Sequence, residues 1–360
     1  MSFENIQSTI KVLPKMKKHM IDDFIRLLEV PSTSENEKLM FLFLVKELES
    51  IGIPYTVDQS GNIIIHKGQQ KNRPCFVSHM DTVHSWVDQV KVEKYDLSDH
   101  IYLTSEDGIG GDDKCGIFIC LELLKRLDSV SVVFFSREEV GGDGSHGINL
   151  KEFTECNSII GIDRWGNSDY INKYSGRNTT SVDFENALFD VLLKYEYLPT
   201  YGLMTDSLIL FNRGVGIPCI NISCGYYQHH TVEEYIDTNE VLQCLNLCLD
   251  IANEIIGEPF THIQESFSKT DYGYGYGYGY GYDYPKYSSY KPGYTAPPAF
   301  RSTPKKKKKI HDRTGVMYSR CDICGKYDHL DYYDGLYVCK DCISTADNYL
   351  KMIKSDHDKI

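Results

Sequence analysis

Short apolar runs alternate along this chain with longer segments of helical periodicity, and that alternation leaves few folds open. The runs have the length and composition of buried strands. The predicted strands are Cys75–Val77, Ser131–Phe135, Ser158–Ile162 and Ile217–Ile222, and the predicted helices are Asp22–Leu28, Glu35–Ile51, Gly116–Leu127 and Asn239–Ile256. The order predicts an α/β fold, with a mostly parallel sheet and helices on both of its faces.

The composition changes after about residue 262 and divides the chain into three regions. Tyr272 to Tyr284 is a near-perfect Tyr-Gly repeat, followed by Pro- and Ser-rich sequence and the lysine run Lys305 to Lys309. Such sequence cannot bury a conventional core. We therefore predict a folded domain over residues 1–262, a low-complexity linker over 263–314 and a small cysteine-bearing module over 315–360.

Charge and cysteine usage restrict the partners and the compartment. The net charge of -13 argues against a nucleic-acid surface along the whole chain. No apolar run approaches the roughly 18 residues of a membrane span, and Met1 to Lys18 lacks the apolar run of a secretory signal. Twelve cysteines without such a signal indicate a reducing compartment. These features predict a cytoplasmic protein that does not contact membranes.

Carboxylates and histidines occur in five segments, four of which lie just after a predicted strand. Ligands gather at the carboxyl ends of the strands in an open parallel sheet, so segments that are distant in sequence should converge there. Each segment alone is a weak signal, because single acids and histidines more often cap helices or satisfy a core. The segments are Ser78–Val83, Gly108–Gly116, Ser136–Gly141, Gly161–Arg164 and Tyr226–Glu234.

Several residues in these segments suit metal chemistry. His79 can bind a metal through one ring nitrogen, while Asp81 accepts a hydrogen bond from the other. Asp112 follows a glycine-rich turn and either bridges two metals or belongs to a solvated helix cap. Of the adjacent Glu138 and Glu139, one can bind metal while the other handles protons, unless the pair is a surface acidic turn.

The order of these segments resembles the co-catalytic zinc exopeptidase and deacylase superfamily. That group includes peptidase T-like tripeptidases, aminoacylases and compact zinc aminopeptidases. The resemblance covers nearly all of residues 20–256, and it is strongest at Ser78–Val83, which is similar to peptidase T-like enzymes. Leu27–Ser32, Asp58–Ile63 and Thr205-Asp206 also fit the family pattern.

The resemblance implies two adjacent active-site zinc ions, or cobalt or manganese in their place. His79 and Asp163 would hold one metal. Glu139 and His230 would hold the other, and Asp112 would bridge both.

Three further assignments come from the same resemblance. Glu138 takes the position of the general base, and Asp81 orients the histidine at position 79. His230 is preferred to His229 as the last ligand, because the family's His-Thr-then-acid spacing fits it better.

One departure from the family concerns the lid. The deacylase branch inserts a lid domain of about a hundred residues between the positions of Asp163 and His230, whereas only 66 residues separate them here. We therefore expect a compact domain without a lid. Tyr226, Tyr227 or His229 could then replace a lid histidine at the oxyanion or the substrate.

The resemblance implies a hydrolase of peptide bonds, an exopeptidase of the aminopeptidase or small-peptidase kind. An N-acyl amino acid deacylase is the alternative enzyme, with an acylated amino acid in place of a peptide as substrate. An inactive metallopeptidase-like scaffold with an interaction zinc finger is the third possibility. The scaffold is disfavoured, because all five ligand positions and Glu138 are present.

The last region carries a second metal signature. Cys321, Cys324, Cys339 and Cys342 have the C-x2-C-x14-C-x2-C spacing of a closed, structural zinc site. A predicted hairpin around Asp334-Gly335 and a predicted helix over Ile343 to Ile353 make the module resemble a treble-clef zinc finger. We expect it to bind a protein. Nucleic acid is a less favoured partner, because the module is rich in Asp.

Overall fold

The computed structural model describes residues 15–97, 99–202 and 205–262, together with backbone segments at 318–320, 327–333 and 336–340. These residues belong to two compact units, divided between Phe300 and Arg301. The predicted linker over 263–314 lies outside the described residues, and the three-region division remains a prediction.

The larger unit contains seven α-helices and thirteen strands among its described residues. The helices are α1 Lys18–Leu28, α2 Lys38–Ser50, α3 Gly111–Arg126, α4 Asp143–Gly147, α5 Val182–Tyr195, α6 Asp206–Asn212 and α7 Thr238–Ile255. The strands are β1 Thr56–Val57, β2 Ile63–Lys67, β3 Arg73–His79, β4 Glu93–Leu97, β5 His100–Thr104, β6 Val130–Phe135, β7 Cys156–Arg164, β8 Asp169–Tyr174, β9 Arg177–Asn178, β10 Leu198–Tyr201, β11 Cys219–Ser223, β12 Tyr226–Tyr227 and β13 Tyr235–Asp237.

The main sheet has nine strands in the order β1-β2-β6-β3-β7-β11-β8-β10, with β9 paired to β8. Its four central strands, β6, β3, β7 and β11, are parallel to one another. Antiparallel partners flank them, β2 on one side and β8 on the other. The four predicted strands are the four central ones, so the α/β prediction with a mostly parallel central sheet is confirmed. The last of them begins at Cys219, two residues later than predicted.

Helices cover both faces of this sheet because the central strands carry apolar residues on both sides. Along β3, Phe76 points into one core with α1, α2, α3 and α7, whereas Cys75 and Val77 belong to a second core. The second core contains Leu210 and Phe211 of α6. Every residue of β3 and β6 is buried, as expected of strands enclosed between two helical layers.

A second, antiparallel sheet runs in the order β12-β13-β5-β4. It supplies two of the segments that reach the site: the turn after β12, and the loop from β5 into α3. No helix in the described ranges has both the length and the apolar character needed to cross a bilayer.

The smaller unit shows a three-stranded antiparallel sheet of β14 Tyr318–Arg320, β15 Tyr327–Tyr333 and β16 Leu336–Cys339. Strands β15 and β16 pair from Leu330 with Cys339 to Tyr333 with Leu336, so the hairpin predicted around Asp334-Gly335 is confirmed. Cys339 ends β16, whereas the other three cysteines and the predicted helix over 343–353 lie outside the described residues. The zinc finger therefore stays a prediction.

Candidate metal centre

Three of the acid- and histidine-bearing segments meet at one edge of the main sheet. His79 is the last residue of β3, Asp163 lies near the end of β7, and Glu138 and Glu139 follow β6. Because β6, β3 and β7 are adjacent parallel strands, their carboxyl ends meet at that edge. Two other segments, which carry Asp112 and His230, complete the cluster.

Asp112 lies at the centre of this cluster, in the first turn of α3. Its Oδ1 is 3.2 Å from His79 Nε2, which also lies 3.6 Å from Asp163 Oδ1. Its Oδ2 is 3.2 Å from His230 Nε2, which in turn lies 3.2 Å from Glu139 Oε2. Each oxygen of the Asp112 carboxylate therefore faces a separate group made of one histidine and one acid.

Asp81 holds both the His79 ring and the loop that carries Glu138 and Glu139. His79 Nδ1 is 3.0 Å from the Asp81 carbonyl oxygen and 3.4 Å from its Oδ1, so the backbone carbonyl is the nearer acceptor. The Asp81 carboxylate accepts the backbone N–H groups of Glu138 at 2.8 Å and Glu139 at 3.2 Å, and the Ser34 hydroxyl at 2.8 Å. Burial alone would raise the pKa of Asp81, but the contacts with His79 and these donors hold it below its usual value.

The crowded carboxylates disturb one another's proton affinity. Burial, followed by the charge of Asp112, raises the pKa of Asp163 to about 7. Burial also raises the pKa of Glu138 well above its usual value and raises that of Glu139. Burial opposes the charged form of His230, but Asp112 and Glu139 raise its pKa to about 11. Because so many carboxylates are buried close together, a positive charge among them would be strongly favoured.

The donor set fits divalent metal ions. The ligand atoms of His79, Asp112 and Glu139 lie within 4.8 Å of one another, and those of His79, Asp113 and Asp163 form a second such group. Carboxylate oxygens and imidazole nitrogens are common ligands of zinc and related ions. A cation among them would relieve the repulsion between the acids.

Asp113 is fully buried beside Asp112, and sequence analysis gave it no role. It accepts the backbone N–H of His79 at 3.2 Å and that of Gly116 at 3.0 Å, one on each oxygen. Burial and the charge of Asp163 raise its pKa well above the usual value. With both oxygens engaged by backbone, Asp113 serves to join α3 to β3.

Glu234 is a second residue whose role the sequence did not reveal. Its side chain is fully buried, and it accepts the backbone N–H of Asp112 at 3.0 Å and that of Gly110 at 2.9 Å. His84 Nε2 lies 2.7 Å from the same carboxylate. The glycine-rich turn needs this close approach, since a Cβ at Gly111 would lie 3.2 Å from Glu234 Oε1 and 2.8 Å from the Cβ of Tyr226.

Asp206, the first residue of α6, is also buried next to the site. Neither of its carboxylate oxygens has a hydrogen-bond partner within the described residues. Burial raises its pKa to about 7, and its charge adds to the rise of the Glu138 pKa. The Thr205-Asp206 dipeptide fits the family pattern, but the sequence alone assigned it no role.

The residues considered for the oxyanion or the substrate have different positions. The Tyr226 hydroxyl donates to Asp163 Oδ1 at 3.3 Å, and the His229 ring packs edge to face on His230, with centroids 4.8 Å apart. The Tyr227 hydroxyl instead donates to Glu240, and its ring stacks on Tyr235. These contacts of Tyr227 are directed to Glu240 and Tyr235 instead of the cluster, and its part in substrate binding stays a prediction.

Backbone strain coincides with the cluster. His230 has φ of 62°, and Arg137, directly before Glu138, has φ of 54°. Residues other than glycine rarely adopt this left-handed conformation, and where they do the site is often functional.

No protein-family model matches the chain, and no curated protein sequence matches it significantly. Solved structures share its fold. A tripeptidase from Staphylococcus aureus superposes with a TM-score of 0.57 at 14% identity, covering 68% of this chain and 99% of that one. Aminopeptidase PepT from Bacillus cereus gives 0.55 at 15% identity, covering 66% and 98%. An aminopeptidase from the archaeon Desulfurococcus kamchatkensis gives 0.54 at 14% identity, covering 67% and 96%.

Proposed function

We propose that the chain is a metal-dependent hydrolase of peptide bonds, an exopeptidase that uses two adjacent zinc, cobalt or manganese ions. The observation that carries the proposal is the position of Asp112, whose two oxygens face two separate His–acid groups. A carboxylate that bridges two metals needs this arrangement. The shared fold with tripeptidases and aminopeptidases supports a peptide as substrate.

The proposed ligands fall into two sets around Asp112. His79 and Asp163 would hold one ion, and Glu139 and His230 the other. Bound there, the ions would supply Lewis acidity toward the substrate carbonyl and toward water.

The chain's own residues would handle the proton. Burial and neighbouring acids raise the pKa of Glu138, so its carboxylate is a stronger base than an exposed glutamate. We propose that Glu138 takes a proton from the attacking water and returns it to the leaving amine. The hydrogen bond from the Glu138 backbone N–H to the Asp81 carboxylate holds Glu138 in position for both proton transfers.

Two neighbours could contact the reacting carbonyl. The Tyr226 hydroxyl lies at the cluster and can donate a hydrogen bond to a developing negative charge. His229 is kept neutral by burial, which lowers its pKa, and a neutral imidazole can donate through one ring N–H.

The lid domain of the deacylase branch is absent in our proposal. Residues between Asp163 and His230 form β8–β12, α5 and α6, and four of those strands, β8, β9, β10 and β11, belong to the main sheet. A compact domain leaves the site open to the ends of peptides. The cytoplasmic location remains a prediction from composition.

A hydrolysis panel tests the proposal and its alternatives. The full chain, loaded with zinc, cobalt or manganese, is given free-amine peptides, N-blocked peptides and N-acyl amino acids. Cleavage of free-amine peptides is the expected result. Preference for N-acyl amino acids would identify a deacylase, and metal binding without any cleavage would identify a scaffold.

Glu234→Gln should weaken metal binding by roughly 10- to 100-fold, the usual loss when a residue supporting a ligand is altered. Glutamine keeps the size of the side chain but removes the charge that accepts the backbone N–H groups of Asp112 and Gly110. Zinc titration of the metal-free protein measures the change. Glu233→Gln, at the exposed neighbour, is the matched control, and equal affinities in the two variants would contradict the role of Glu234.

A chain shortened to residues 1–262 should bind two metals and cleave dipeptides about as well as the full chain. Every proposed ligand and Glu138 lie before residue 262. The separate piece 315–360 should bind one zinc and unfold on chelation, because so short a module depends on metal for its folding free energy. Circular dichroism and dipeptide assays check both halves. A folded 1–262 protein without dipeptide cleavage would contradict this division.

A further inference from the structure

Three large apolar side chains are exposed around the metal centre. Val140 follows Glu139 and is 49% exposed, Trp165 lies two residues after Asp163 and is 41% exposed, and Val232 lies two residues after His230 and is 59% exposed. Successive Cα atoms are about 3.8 Å apart, so the Cα of each of these residues lies within about 8 Å of the Cα of a proposed ligand. Single exposed apolar residues are ordinary, but three that lie within two residues of proposed ligands, on separate loops, indicate an apolar rim at the site.

One side of this rim is a continuous aromatic wall. The rings of Trp165 and His229 stack with centroids 6.5 Å apart and an interplanar angle of 15°. His229 in turn packs edge to face on Tyr226 at 6.1 Å and on His230 at 4.8 Å. The wall therefore leads from the proposed ligand His230 outward to the exposed indole of Trp165.

Backbone and side-chain bonds hold this wall in place. Gly166 N–H donates to the Tyr226 carbonyl at 3.0 Å, and Cys224 N–H donates to the Arg164 carbonyl at 2.9 Å. The Arg164 guanidinium lies 5.6 Å from the Trp165 ring centre and donates two hydrogen bonds of 2.8 Å to Asp169. Because Asp169 compensates its charge, Arg164 supports the indole and does not present an unpaired cation to substrate.

We propose that Trp165, backed by His229, is the specificity-determining residue for the substrate side chain next to the scissile bond. The site then takes peptides with a large apolar or aromatic residue at that position. The inference rests on the proposed peptidase function, since the scissile amide must lie at the metal cluster. Contact with a flat aromatic surface stabilises the bound peptide most when the substrate side chain is large enough to cover the ring, and least when the residue is glycine or alanine.

The kinetic test compares dipeptides that differ only in the first residue. We expect Trp165→Ala to lower kcat/KM for Phe-Ala and Leu-Ala by about 10- to 100-fold and to change Ala-Ala by less than about threefold, the range typical of a hydrophobic pocket. Trp165→Phe should restore most of the preference. Phe189→Ala, which removes an exposed ring from α5, is the matched control and should leave all three substrates unchanged.

A binding test reads the same site in the Glu138→Gln protein, which should keep its metals but not hydrolyse the amide of the probe. The chain has two tryptophans, Trp86 and Trp165, so Trp86→Phe leaves Trp165 as the single indole reporter. Titration of metal-loaded protein with L-phenylalaninamide should produce a saturable change in its emission, and glycinamide should produce none at the same concentration.

The outcomes separate this inference from the proposed function. The role of Trp165 would be overturned if Trp165→Ala lowered kcat/KM equally for Phe-Ala and Ala-Ala and L-phenylalaninamide left the emission unchanged. Cleavage of peptides by the unaltered protein would then still support the peptidase. A protein that cleaves no amide but shows the L-phenylalaninamide response would overturn the peptidase and retain the binding wall.

Discussion

Glu138→Gln is expected to lower the turnover of peptides by about a hundredfold or more while both metals and the fold remain. Glutamine has nearly the size of glutamate, and the backbone N–H of residue 138 can still donate to Asp81 at 2.8 Å. What disappears is the carboxylate that accepts the proton from water. Burial and the charges of neighbouring acids raise its pKa, which suits a base that must also return the proton.

The measurement pairs steady-state kinetics with metal analysis of the same protein. Glu139→Gln is the matched control, because it makes the same chemical change one residue along the loop but removes a proposed ligand. We expect Glu139→Gln to lose metal and Glu138→Gln to keep it. Near-normal turnover in a metal-loaded Glu138→Gln protein would remove Glu138 from the mechanism.

The central sheet could be predicted because its strands are buried on both faces. Enclosed strands appear in sequence as continuous apolar runs, and Val130–Phe135 is buried at every position. Two of the strands that escaped prediction lack that signal. Strand β10, Leu198–Tyr201, is mostly exposed, and β4, Glu93–Leu97, carries charged residues. Helix α2 begins three residues later than predicted, since Glu35 has φ of 66°.

The main residues of the candidate site could be predicted for a related reason. Residues at the carboxyl ends of adjacent parallel strands must meet, so His79, Glu138 and Asp163 are brought together by topology alone. Glu234 could not be found this way. Its partners Gly110 and Asp112 are 124 and 122 residues away, and no local pattern marks an acid that will accept their backbone N–H groups.

Asp206 and Trp165 were missed because their significance depends on burial and exposure. An acid at a helix start is usually solvated, yet Asp206 is buried with neither oxygen bonded within the described residues. Tryptophan side chains are highly buried on average, yet Trp165 is 41% exposed. Only the folded arrangement relates either residue to the candidate metal site.

Asp112→Ala is expected to abolish tight binding of both metals, whereas His230→Ala should mainly weaken one. The Asp112 carboxylate lies 3.2 Å from each of His79 and His230 through different oxygens, so its removal takes a ligand from both proposed ions. His230 lies 3.2 Å from Asp112 Oδ2 and 3.2 Å from Glu139 Oε2, within one of the two groups, and its side chain is 44% exposed. Its loss opens one position that water can fill.

Native mass spectrometry of the two variants, after equal zinc loading and dialysis, counts the retained ions per chain. We expect none for Asp112→Ala, one for His230→Ala and two for the unaltered protein, with peptide cleavage lost in proportion. Asp112→Asn is the matched control for size and fold, because it retains an oxygen toward one group but loses the charge shared by both. Two tightly held ions in Asp112→Ala would show that this carboxylate does not bridge, and the dinuclear proposal would lose its central support.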